Sequence, residues 1–98
     1  MDNFENRLQW IEDRFAINDL IVQYSIATDD RDIETLADLY TEDAVFEGSL
    51  GVIHGRQAIA EFYRERTAVQ GPSFHIPYSQ EVHRLSETEA RGVTLGAV

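Results

Sequence analysis

Apolar residues recur at helical spacing from Leu8 to about Thr28: Leu8, Ile11 and Phe15, then Ile17, Leu20, Ile21, Tyr24 and Thr28. Steps of three and four place side chains on one face of a helix, so the pattern predicts a long first helix with a core-facing stripe. Trp10, Val22 and Ile26 fall off that stripe, which predicts cover on more than one side. The periodicity breaks at Thr28-Asp29-Asp30-Arg31-Asp32. Asp32 can accept from orphan amides of a following turn and so predicts a short second helix, Ile33 to Tyr40, with Leu36, Leu39 and Tyr40 inward. Ala44 to Glu47 and Val52 to His54 read as two short strands around a turn at Gly48-Ser49-Leu50-Gly51. Gly55 introduces a third helix from Arg56 to about Ala68, with Ile59, Phe62 and Tyr63 on its stripe, and Gly71-Pro72 breaks it.

Beyond the breaker, Ser73 to Leu85 is extended in character. Alternation puts Phe74, Ile76, Tyr78, Gln80 and Val82 on one face and His75, Pro77, Ser79, Glu81 and His83 on the other. Pro77 has no N–H for a ladder, which predicts an edge or a bulge there. Ser86 to Glu89 is a turn, and Ala90 to Val98 is another strand. Helices gathered early and strands late predict an α+β domain with helices on one face of an antiparallel sheet, spanning residues 1–98 as one unit. A curved sheet covered by helices leaves a concave pocket.

Composition removes several classes of chemistry. Eighteen acids against eight bases give a formal charge of −10, which argues against binding to nucleic acid or an anionic membrane surface. All eight bases are Arg, so lysine Schiff-base chemistry and a phosphate-loop lysine are excluded. Cysteine is absent, which excludes thiolate nucleophiles and Cys-ligated metals and fits a cytoplasmic protein. No basic start with a long apolar run is present, and no apolar run is long enough to cross a membrane.

Among polar residues His75 is the leading acid–base candidate, set between Phe74 and Ile76. Asp29 can serve as a base or orient an imidazole, although on an uninterrupted helix it lies about 140° around from Tyr24. It therefore reaches a pocket only if the helix ends or loosens at Thr28. His83 lies roughly 26 Å from His75 along an extended strand, so the two cannot share a metal, and no metal-ligand spacing occurs elsewhere. His54, at a loop-to-helix junction, reads as structural. Tyr24, Tyr40, Tyr63 and Tyr78 are each able to donate a phenolic proton to a carbonyl, or to be core residues with a satisfied hydroxyl.

Four segments in order carry a family resemblance. Ile17-Asn18-Asp19-Leu20-Ile21-Val22-Gln23-Tyr24 followed by Asp29-Asp30-Arg31-Asp32 resembles the opening helix of SnoaL-like domains. Leu39 to Glu47 is similar to that family's junction of second helix and first strand, His54-Gly55-Arg56-Gln57-Ala58-Ile59 to its lead-in to helix three, and Phe74-His75-Ile76 to its His-bearing strand. The superfamily, nuclear transport factor two-like, also holds scytalone dehydratase, polyketide cyclases, ketosteroid isomerase and small subunits of ring-hydroxylating dioxygenases.

The resemblance implies a cone-shaped α+β barrel in which three helices pack on a strongly curved antiparallel sheet. It also implies an apolar pocket for a small ring compound and a dimer formed through the sheet. Asp29 and His75 match the acid and imidazole of the dehydratase type, which would make them the catalytic pair. Tyr24, Phe46, Phe62 and Tyr78 are the expected substrate contacts, with no cofactor and no metal. There are departures. The dehydratase's second His falls near Thr94, its hairpin tyrosine falls near Gly48, and two further long strands would follow Val98, so the cone is expected to be incomplete at its C-terminus. The expected function is that of a cofactor-free dehydratase, isomerase or cyclase. The alternatives are a non-catalytic ligand-binding or assembly module on the same fold and a truncated inactive remnant.

Overall fold

The structure, a computed structural model, describes residues 3–97. Val98, the last residue of the expected final strand, lies outside the described residues. Seven elements follow in the order expected: α1 (Phe4–Asp29), α2 (Ile33–Asp38), β1 (Val45–Gly48), β2 (Gly51–His54), α3 (Arg56–Val69), β3 (Ile76–Arg84) and β4 (Ala90–Ala97).

Capping fixes where the helices begin. Asn3 Oδ1 accepts from the Asn6 amide at 2.8 Å, which starts α1 four residues before the first predicted apolar position. Asp32 caps α2 as its sequence suggests, accepting from the Thr35 amide at 3.2 Å and the Thr35 hydroxyl at 2.6 Å. Gly55, at φ +94°, opens α3 in a conformation that strains a side-chain-bearing residue. Its amide donates to Ala44 O at 2.7 Å, and Arg56 Nε donates to Tyr40 O at 2.7 Å. These bonds tie the start of α3 to the end of the α2 region.

The core is small and sits where α2, α3 and the last turns of α1 meet. Leu36 and Ile59 are its fully buried members, with Ala27 and Tyr63 beside them and Tyr24, Phe46, Ile53 and Phe62 packed around. The predicted α1 stripe is corrected here. Leu8, Ile11 and Phe15 are exposed, and the buried residues of α1 are Ser25, Ala27 and Thr28 in its final turns. The reason is reach. At 1.5 Å per residue the helix is about 39 Å long, and its buried residues lie in the final turns, which meet α2, β3 and Tyr63 of α3.

The expected sheet is present as two antiparallel hairpins with no ladder between them among the described residues. In the first, Phe46 faces Ile53 across β1 and β2. In the second, β3 and β4 pair from Ile76↔Ala97 to Arg84↔Ala90, with a register shift between Pro77 and Ser79. The bulge falls where Pro77 removes a donor. On the face that alternation assigned to Phe74, Ile76, Tyr78, Gln80 and Val82, Gln80 and Val82 are half-buried, whereas Phe74, Ile76 and Tyr78 are exposed. Cross-strand pairing sets Val93 and Leu95 on the opposite, solvent-facing side.

The molecule measures 50 × 27 × 23 Å with a radius of gyration of 15.2 Å, against about 12.6 Å for a compact chain of this length. Its accessible surface is 7570 Å², against about 5,700 Å² for a folded monomer of this mass. With so few buried side chains, each carries a large share of stability. Leu36→Ala should destabilise the fold by about 2–5 kcal/mol, read as a lower urea midpoint at unchanged slope.

Candidate functional site

The site forms where the C-terminus of α1 meets the segment that leads into β3. Helix α1 continues through Asp29, with Asp30 as its C-cap. The chain then turns through Arg31 at φ +59°, the left-handed region. The helix therefore does not loosen at Thr28. Asp29 is engaged because residues 73–75 wrap over the helix end, where no further turn covers the carboxylate.

That carboxylate accepts three hydrogen bonds from the wrapping segment. Oδ2 takes the His75 amide at 2.7 Å, Oδ1 takes the Ser73 hydroxyl at 3.2 Å, and Oδ1 lies 2.6 Å from His75 Nδ1. Burial pushes the Asp29 carboxyl upward, but the His75 amide, the His75 ring and the Ser73 hydroxyl outweigh it and hold the group below the usual range. An ionised carboxylate has no proton to give, so Nδ1 carries the hydrogen of this contact, and in the neutral ring that leaves the lone pair on Nε2. Side-chain exposure is 20% for His75 and 18% for Asp29, so the pair is half-buried but reachable.

The Tyr24 ring meets the imidazole edge-on at 5.8 Å between centroids. From Tyr24 a hydroxyl chain runs inward, with Tyr24 Oη 3.1 Å from Tyr63 Oη and Tyr40 Oη 3.3 Å from Tyr63 Oη. Burial, together with the hydrogen bonds to its two tyrosine neighbours, raises the Tyr63 phenol far above its ordinary range, so it stays neutral and can donate. Burial raises Tyr40 as well. The Thr28 hydroxyl, one residue before Asp29, is buried and finds no partner among the described residues. An unmade bond of that kind costs about 1–3 kcal/mol unless water or a ligand supplies it.

An apolar hollow lies beside Phe46 and Phe62. A groove of about 650 Å³ runs between the β1–β2 hairpin and α3, with Phe46, Ile53 and Phe62 among its lining residues and Arg66 beside them. Phe46 and Phe62 each contact the Tyr63 ring, at 5.8 and 5.6 Å between centroids. Of the expected substrate contacts, Phe46 and Phe62 thus line the groove, Tyr24 sits beside His75, and Tyr78 is exposed at the bulge. Tyr63 touches Tyr24 as well as Phe46 and Phe62. Among the described residues no cluster of three or more His, Asp or Glu side chains is close enough to hold a metal ion. No helix there is long and apolar enough to cross a membrane. Sequence reasoning gave no role to Ser73 or Arg31. Their part depends on a loop folding back across more than forty residues, which local spacing does not encode.

Comparison with known proteins places this geometry in a family. The profile of the SnoaL-like domain matches residues 9–97. A solved structure of a candidate aromatic ring hydroxylase from Novosphingobium aromaticivorans DSM is similar at 31% identity and a TM-score of 0.74, covering 88% of this chain and 67% of that one. A structure of an NTF2-like protein with a cystatin-like fold, also from Novosphingobium aromaticivorans DSM, is similar at 28% identity and a TM-score of 0.71, covering 98% of this chain and 68% of that one. No curated protein matches the chain at a significant level. The helix order, the two hairpins and the profile match agree, and this chain belongs to the SnoaL-like domain family, with an NTF2-like α+β fold.

Proposed function

We propose that this chain acts on a small hydrophobic ring compound by acid–base chemistry, with His75 moving a proton at carbon next to a carbonyl and Asp29 holding its imidazole. The observation that carries this reading is the Nδ1–Asp29 contact at 2.6 Å. It fixes the tautomer and leaves Nε2 basic in a half-buried setting. Imidazolium formed in the reaction would be stabilised by the adjacent carboxylate. The tyrosine chain supplies the electrophile. If Tyr40 donates to Tyr63 and Tyr63 donates to Tyr24, the Tyr24 hydroxyl keeps its own proton for a substrate oxygen. Dehydration and isomerisation both need this pairing of a base with a carbonyl-polarising donor. The similar structure described as a candidate aromatic ring hydroxylase supports a ring compound as the ligand.

A second reading follows from the groove. Its lining includes Phe46 and Phe62 but neither His75 nor Asp29, an arrangement that suits a module that holds a ligand or partner without reacting with it. We also propose that two copies pair through the outer face of β3–β4. Val93 and Leu95 stand exposed there, and the surface exceeds that of a compact monomer by about 1,900 Å², more than the roughly 800 Å² each partner contributes to a stable interface.

Deuterium incorporation beside the carbonyl of cyclic ketones in D2O, followed by NMR, tests the chemistry without requiring the natural substrate. His75→Ala should slow exchange by roughly 10²–10⁴-fold, and a wild-type rate in a folded variant leaves the binding module as the surviving reading. Because the Asp29 pKa is depressed in the folded state, its contribution to stability is present above the unfolded value of about 3.9 and is lost as pH falls through the folded value. Asp29→Asn should therefore lower the melting temperature at pH 7 and flatten its fall as pH drops below about 4. Sedimentation equilibrium should give a mass of two 11.2 kDa chains, and Val93→Glu should shift it toward one.

A further inference from the structure

We propose that Arg31 is a positioning residue for His75. Its guanidinium clips the Gly71–Ser73 segment to the end of α1 and so delivers the imidazole to Asp29. This inference deepens the acid–base reading and rests on it. Among the described residues no carboxylate lies within ion-pair distance of Arg31. Its donors go instead to neutral acceptors. Nη2 donates to Gly71 O at 2.6 Å, and Nη1 donates to Ser73 Oγ at 3.3 Å and to Thr28 O at 3.2 Å. One side chain thus grips both the last turn of the helix and the loop that returns forty residues later. The Ser73 hydroxyl accepts from Arg31 and donates to Asp29, so the guanidinium polarises the same hydroxyl that orients the carboxylate.

The backbone supports the assignment. Arg31 holds φ +59°, the sole residue other than glycine with positive φ among those described, in a conformation that glycine or asparagine takes more readily. The turn alone would be made with less strain by glycine, so the guanidinium's three bonds are what this position gains from arginine. Residues 71–75 have no ladder or helix of their own to hold them. Two acceptors on one loop also call for a planar fork, which lysine lacks.

The test reads His75 rather than turnover, so its failure is separate from failure of the catalytic reading. In the wild-type protein, 15N NMR should report the neutral ring as the Nδ1–H tautomer, with a protected His75 amide. Arg31→Gly relieves the backbone strain and removes the clip. It should lose that tautomer signature and exchange the His75 amide at least about tenfold faster, while its melting temperature stays near wild type. Retention of both signals in Arg31→Gly would falsify the clip and reduce Arg31 to a turn residue. Should Arg31→Gly not fold, Arg31→Lys decides. It keeps charge and stem but not the fork, so faster His75 amide exchange supports the proposal and wild-type exchange overturns it.

Discussion

One carboxylate joins the two halves of this molecule. Asp29 is the last residue of a 26-residue helix, and it accepts the amide and ring of His75 and the hydroxyl of Ser73. Beside it, the bonds of Arg31 to Gly71 and Ser73 and the packing of α1 on β3 hold the strand pair to the helical layer. The same three bonds that dock the second hairpin also set the imidazole tautomer. Structural docking and candidate chemistry therefore share one charge, and no substitution at Asp29 can alter one without the other.

This sharing explains the local architecture. A helix C-terminus presents orphan carbonyls and favours cations, so an aspartate at that end runs against the macrodipole. The last turn of α1 carries no basic residue to offset it. The neighbourhood is balanced instead by Arg31, whose guanidinium bonds Thr28 O, a carbonyl at that same end, and whose other donors hold the loop bearing Asp29's partners. The unfavourable placement of one charge is thereby offset within two residues of sequence.

The fold was legible wherever its cause was local. The cap at Asp32, the glycine at the start of α3, the stripe of Ile59, Phe62 and Tyr63, and the bulge at Pro77 all follow from residue chemistry over a few positions. The N-terminal half of α1 misleads because periodicity reports which residues could be buried together, not what is present to bury them. Leu8, Ile11 and Phe15 form a sound stripe and meet little protein. The site was legible in its residue types, since an aspartate and a histidine were singled out, but not in its geometry. The angular argument assumed that Asp29 must turn inward along the helix. In the folded chain the loop comes to the aspartate, a long-range event that helical angles do not describe.

The tyrosine chain is the remaining link between the groove and the imidazole. Tyr63 is buried, touches the rings of Phe46 and Phe62, and hydrogen-bonds Tyr24, whose ring meets His75. A ligand pressing on Phe62 would bear on a ring that is already close-packed, and close-packed rings transmit displacement rather than absorb it. Tyr63 thus touches both the aromatic lining of the groove and the tyrosine whose ring meets His75, so the two regions share one packed side chain.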